Sequence, residues 1–145
     1  PNIGRPGSTG SNPRARNPDT GEELASETLK GDAISRAKLD VKDVTRETEL
    51  VVFHFPPVTA GASIRLRMYE TYTDTARYKL VGDELVWDRS FGRPTNIVVL
   101  PEGWMVTNSA APAVVSTRPD GRTQLEFINP RPDEVATLIT ARKRR

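Results

Sequence analysis

Tyr78-Lys79-Leu80-Val81-Gly82-Asp83-Glu84-Leu85-Val86-Trp87 sets two short runs of strand-forming residues on either side of a Gly-Asp pair. That arrangement reads as a β-hairpin with a two-residue turn. The same pattern recurs downstream, where Ala113 to Thr117 and Thr123 to Ile128 flank Pro119-Asp120-Gly121. There Asp-Gly supplies the positive φ that such turns need. Asn96 to Leu100, Met105 to Asn108 and Ala136 to Ala141 read as further strands. Upstream, Val51, Phe53 and Phe55 alternate with Val52 and His54 until Pro56-Pro57 stops the run. Ile64, Leu66 and Met68 alternate with Arg65, Arg67 and Tyr69, which predicts one buried face opposite the two arginines. Glu22 to Leu29 is a weaker strand candidate. Seven to nine short strands at spacings of roughly 8–14 residues predict an all-β chain, an antiparallel immunoglobulin-like β-sandwich without the Cys–Trp–Cys core of antibody domains. Helix is scarce: Asp32 is placed to cap a short turn from Ala33 to Lys38, with Ile34 as its apolar contact.

Composition separates the ends of the chain. Residues 1–45 carry few large apolar side chains (Ile3, Leu24, Leu29, Ile34, Leu39, Val41 and Val44), so the core belongs mainly to residues 46–141. Residues 1–21 are dominated by Pro, Gly, Ser, Asn and Arg, a composition that cannot offset its own ordering entropy. The expected organisation is an extended arm, 1–21, followed by a β-sandwich, 22–145. The chain begins with Pro1, which suits a processed form or a piece of a longer polypeptide. Cysteine is absent and His54 is the single histidine, which excludes disulfide frameworks, thiolate metal sites, cysteine nucleophiles and histidine-rich metal centres. No apolar run approaches the roughly 20 residues that span a bilayer. A formal charge of +2 is too small to imply nucleic acid by itself.

The residues that carry chemistry are weighed against plainer roles. A histidine base needs an orienting carboxylate and a facing nucleophile; nothing near His54 in the sequence supplies either, so it reads as a structural or surface residue. Glu70, Asp74, Asp83, Glu84 and Asp88 could set two carboxylates at glycosidase spacing, but Arg65, Arg67, Arg77 and Arg89 are at hand to pair with them. Asp19 to Glu23 loosely resembles half a calcium loop without its regular ligand spacing, and reads as a turn. Trp87 and Trp104, with Tyr69, Tyr72, Tyr78 and Phe91, could form a sugar-stacking or peptide-binding platform, but Trp87, sharing a strand face with Leu85, reads as core. Trp104, after Pro101-Glu102-Gly103, reads as an exposed ring. Arg89-Ser90-Phe91-Gly92-Arg93-Pro94 reads as the loop best suited to touch a partner. Arg142, Lys143, Arg144 and Arg145 form an uninterrupted basic terminus fit for an anionic membrane surface. No nucleic-acid-binding motif accompanies it. Arg5, Arg14 and Arg16 give the arm donors for carboxylates and carbonyls of a neighbour. No metal or cofactor is expected.

DTGEEL (Asp19 to Leu24), GDELVWDRSFGRP (Gly82 to Pro94), VVLPEGW (Val98 to Trp104) and NPRPDEV (Asn129 to Val135) carry a resemblance over most of the chain, from about Gly7 onward. They resemble the C-terminal β-rich domain of uncharacterised, predicted-secreted proteins of Gemmatimonadetes- and Acidobacteria-like bacteria. Those motifs are turn and loop signatures with no assigned chemistry, so no functional residue carries over. The resemblance implies an exported protein, periplasmic or extracellular, cut from a longer precursor. The functional expectation is a non-catalytic accessory subunit. It would bind extrinsically to other protein subunits of a larger bacterial assembly, such as a photosynthetic or other membrane complex, and stabilise it. The partner-binding residues would be Arg5, Arg14, Arg16, Arg89, Phe91, Arg93, Trp104, Arg142, Lys143, Arg144 and Arg145. A carbohydrate- or peptide-binding module of a secreted multidomain protein is the alternative, and a carboxylate-dependent hydrolase the third.

Overall fold

Backbone pairing, more than side-chain burial, organises the first half of the chain. In the computed structural model, which describes residues 8–144, Ser8–Arg16 (β1) and Arg67–Asp74 (β4) form one two-stranded sheet. Ser26–Lys30 (β2) and Glu49–Phe53 (β3) form a second, antiparallel, with Leu29 opposite the buried Leu50. The one helical turn, Asp32–Arg36 (α1), lies against β2 and buries Ile34 completely. Its N-cap is Gly31 and not the expected Asp32, which lies inside the helix. Gly31 has φ 47°, donates its N–H to the Thr48 carbonyl at 2.9 Å, and leaves an added Cβ only 3.2 Å from the Arg46 carbonyl oxygen. Only glycine takes that conformation without strain. The helix stops short of Lys38, which turns left-handed at φ 53°.

The strand expected over Ile64 to Met68 does not form. Pairing begins at Arg67, where β1 supplies the hydrogen-bonding partner, and Leu66 and Met68 are 37% and 67% exposed. Alternation alone does not bury a face; a paired strand with something packed on it does. On β4 the half-buried side chains are Tyr69 and Tyr72.

Compactness divides the chain into two units, Pro1–Thr73 and Asp74–Arg145. The second is a β-sandwich-like body. Tyr78–Val81 (β5) and Glu84–Phe91 (β6) pair across Gly82-Asp83 as the sequence predicts, with Val81 opposite Glu84 and Gly82 at φ 64°. Thr95–Val99 (β7), Trp104–Ser109 (β8), Val114–Thr117 (β9), Thr123–Ile128 (β10) and Val135–Lys143 (β11) follow. One sheet has the order β5-β6-β11-β8 and the other β7-β10-β9. Leu85, Ile139 and Ala141 from the first sheet close on Leu125 and Phe127 from the second, with Leu100 and Ala111 completing the buried cluster. Phe91 bridges the sheets, its ring 5.5 Å from Trp87 and 5.7 Å from Phe127. Altogether 51% of the described residues are strand and 4% helix, which makes the fold all-β.

Two polar devices fix this body. Asn129, only 5% exposed, donates from Nδ2 to the carbonyls of Phe91 (3.2 Å) and Asp133 (2.8 Å), and its Oδ1 accepts the Arg131 N–H at 2.9 Å. The β8–β11 register shifts between Thr140 and Ala141, where a β-bulge interrupts the ladder. Beside it, the Thr107 hydroxyl meets that of Thr140 at 2.7 Å and donates to Glu84 Oε1 at 2.8 Å.

Candidate partner-binding surface

Residues 8–21, expected to be a free arm, are held by their own chain. Beyond β1 the backbone turns back: Asn17 N–H donates to the Glu22 carbonyl and Leu24 N–H to the Ala15 carbonyl, both at 2.9 Å. Arg16 and Glu23 form an antiparallel bridge. The expected boundary at residue 21 therefore falls inside a hydrogen-bonded turn. Asn17 Oδ1 accepts the Asp19 N–H at 2.8 Å, a side-chain-closed turn that needs no ion. Arg65 then grips Asp19 with both Nε and Nη2, and this hydrogen bonding holds the Asp19 carboxyl below the usual carboxylate range.

Arg14 and Arg16 project from this ribbon onto β4. Alternation puts both on one face of β1, with Ala15 between them buried at 1% exposure. Their guanidinium carbons lie 5.6 and 5.7 Å from the centroid of the Tyr69 ring, inside cation–π range. Arg14 is well exposed and only 4.0 Å from Glu23 Oε1, a loose ion pair. Arg16 is half-buried, and its Nε is buried without a hydrogen-bond acceptor among the described residues. Sequence reasoning named Tyr69 as one ring of an aromatic platform but missed its role as the seat of the two arginines. The signal was Arg-Ala-Arg, a three-residue alternation of long charged and small side chains inside a segment read as structureless.

Arg5 and Arg145 lie outside the described residues. The remaining expected contact residues, all in the second unit, are mostly built into its strands and core. The expected loop 89–94 is strand through Phe91. Arg89 is half-buried opposite Thr137, whose hydroxyl donates to the Arg89 carbonyl at 2.7 Å. Phe91 packs on the core, and Trp104 does the same, contrary to its reading as an exposed ring. The reason is phase: Trp104 opens β8 on the same side as Val106 and faces inward with it. Arg93 stays exposed, its carbonyl accepting from Asn96 Nδ2. The basic terminus is not a free tail through residue 144. Arg142 and Lys143 pair with Met105 and Trp104, Arg144 N–H donates to the Gly103 carbonyl at 2.7 Å, and Arg142 Nε lies 3.8 Å from Glu84.

The catalytic readings find only partial geometry. A carboxylate does face the histidine: His54 Nε2 is 3.0 Å from Glu27 Oε1, both well exposed on the β2–β3 ribbon. Of the clustered acids, Asp88 lies 3.8 Å from Arg77, Glu84 accepts from Thr107, and Asp74 accepts the Ala76 N–H at 3.0 Å. Among the described residues no group of three or more Asp, Glu or His is placed to hold a metal ion. No helix there is long and apolar enough to cross a membrane.

No protein-family model, curated protein or solved structure matches the chain.

Proposed function

We propose that this protein is a non-catalytic accessory subunit that docks on a larger assembly through the β1–β4 ribbon. The observation that carries the reading is the seating of Arg14 and Arg16 on Tyr69. β1 gives the interior one buried apolar side chain, Ala15, yet it holds two guanidiniums over one ring. A strand that adds so little to a core while arranging charge at the surface is suited to a partner. The rival carbohydrate or peptide platform is less well supported, because three of its six rings, Trp87, Phe91 and Trp104, are packed on the core, while Tyr78 stays exposed.

Within this proposal the body Asp74–Arg145 belongs to the immunoglobulin-like class of sandwiches. Its four-against-three strand count supports that reading. Its connections depart from the constant-type order, in which the fifth strand lies between the second and fourth and the seventh lies at an edge. Here β11, the seventh strand of the body, lies between β6 and β8, and β9, the fifth, lies at the edge beside β10. Export, and residence at the surface of a membrane complex, rest on the sequence resemblance and on the basic residues of β11.

The test is affinity purification from the native source with wild-type protein and with an Arg14→Gln/Arg16→Gln variant, read by mass spectrometry. A set of subunits retained by the wild type and lost by the variant supports docking through the ribbon. Equal recovery by both proteins removes the ribbon from the function.

A further inference from the structure

We infer that the ribbon's ligand is an extended acidic segment of a protein partner, with carboxylates at alternate positions facing Arg14 and Arg16. This inference rests on the docking role proposed above and gives it a chemistry. Three features of the site lead to it.

The first is the state of the two cations. A guanidinium held over a ring face is attracted by the ring quadrupole, while its N–H donors stay in its own plane. Arg65, by contrast, has committed its fork to Asp19. Arg14 has only the 4.0 Å contact with Glu23, and Arg16 Nε is buried without an acceptor. Tyr69 thus fixes both side chains in position, and their Nη donors have no acceptor within hydrogen-bond range among the described residues.

The second feature is spacing. Residues two apart on a strand are separated by about 6.6 Å, the same interval as alternate side chains of any other extended peptide. Carboxylates at i and i+2 of such a segment repeat at the same interval as the backbone positions that carry the two arginines. Arg–carboxylate pairing is also the chemistry this unit already uses, at Arg65–Asp19.

The third feature is what the surface does not offer. Single-stranded nucleic acid binds where bases find open ring faces along a continuous basic groove. Here the Tyr69 ring is occupied by the arginines, and Glu22 and Glu23 adjoin them in the same hairpin. Two local cations match two carboxylates in number and fall short of the continuous basic groove that a polyphosphate needs.

The experiment titrates full-length protein, at about 0.15 M salt where exposed ion pairs are partly screened, with a 12-residue peptide alternating Glu and Thr. The readout is NMR of the arginine Nε–H and Tyr69 ring resonances. The Gln-for-Glu peptide and a thymidine oligonucleotide are run in parallel. The expected result is saturable binding of the Glu peptide that shifts the Arg14, Arg16 and Tyr69 signals. Affinity should fall at least about tenfold in Arg14→Gln/Arg16→Gln. If that variant melts early, Arg14→Lys/Arg16→Lys keeps the charge without the fork, and a several-fold weakening is expected. Equal binding of the Gln peptide, or tighter binding of the oligonucleotide, overturns the acidic-segment assignment. If the Glu peptide fails while native subunits are still lost on mutating the arginines, the docking role stands and this chemistry falls. If the peptide binds but native subunits are recovered equally by both proteins, the reverse holds.

Discussion

Replacing Asn129 with alanine tests whether the sandwich is closed by this one side chain. The substitution removes three hydrogen bonds, to the carbonyls of Phe91 and Asp133 and from the Arg131 N–H, in a residue only 5% exposed. It spares the backbone bond from Asn129 N–H to the Pro94 carbonyl. Net contributions of about 1 kcal/mol per bond, with buried partners left unsatisfied, give a loss of about 3 kcal/mol. With an m-value of about 1–3 kcal/mol per molar urea, the unfolding midpoint drops by about 1–3 M at constant slope. Trp87 and Trp104 both pack on the core of this body and serve as fluorescence reporters. Asn129→Asp is the sharper variant. It keeps the acceptor for Arg131 but sets a carboxylate oxygen against two carbonyls, so at neutral pH it should destabilise more than alanine does. Those carbonyls favour the protonated acid and raise its folded-state pKa above the unfolded value. The penalty is therefore full above the folded pKa and shrinks as pH falls toward the unfolded value of about 3.9. A midpoint for Asn129→Ala within about 0.3 M of wild type would refute the reasoning. So would an Asp variant no worse than Ala at neutral pH.

Leu125 is fully buried in the core cluster and Leu66 is 37% exposed, so Leu125→Ala should cost about 2–5 kcal/mol and Leu66→Ala well under half as much in parallel urea melts. Asp120 accepts both the side chain and the N–H of Arg122, and this hydrogen bonding pulls its pKa down to about 2 from 3.8. Its folded pKa lies below the unfolded one, so its contribution to stability is present above about pH 4 and is lost as pH falls toward 2. Carboxyl NMR should place the Asp120 midpoint near 2, and Arg122→Gln should move it toward 3.8.

The second unit was readable because its signals are local. Gly82-Asp83 and Asp120-Gly121 stand where the chain reverses, and the runs beside them became β5, β9 and β10 to within a residue, while β6 runs four residues past the expected Trp87. What the sequence concealed was order. Nothing in Val135–Lys143 says that it inserts between β6 and β8, because strand neighbours are chosen by which inner faces close on one core. Trp104 shows the same limit: the Pro-Glu-Gly before it marks a turn, but inward orientation depends on the phase of β8. The first unit failed differently. Composition measures how much a segment can bury, and β1 buries little; it forms because β4 and residues 22–24 satisfy its backbone groups.

That difference bears on function through the arginines. In the second unit, Arg77, Arg122, Arg131 and Arg142 each lie within 4 Å of a carboxylate, at Asp88, Asp120, Asp133 and Glu84. Such exposed pairs contribute little stability, but they neutralise charge and take up donors. The cation–π contacts among the described residues belong to Arg14 and Arg16. A quadrupole neutralises nothing, so the ring contacts themselves leave the charge of both guanidiniums in place. Arg14 retains it beside a loose 4.0 Å neighbour. Held by a ring on one strand and by backbone pairing on the other, they have also lost much of the rotamer freedom that binding would otherwise remove. Positive charge that is fixed in place is what an acidic partner requires. Arg142 of the basic terminus faces Glu84 at 3.8 Å, much as Arg14 faces Glu23, but no ring among the described residues holds its guanidinium, so it meets that requirement less well.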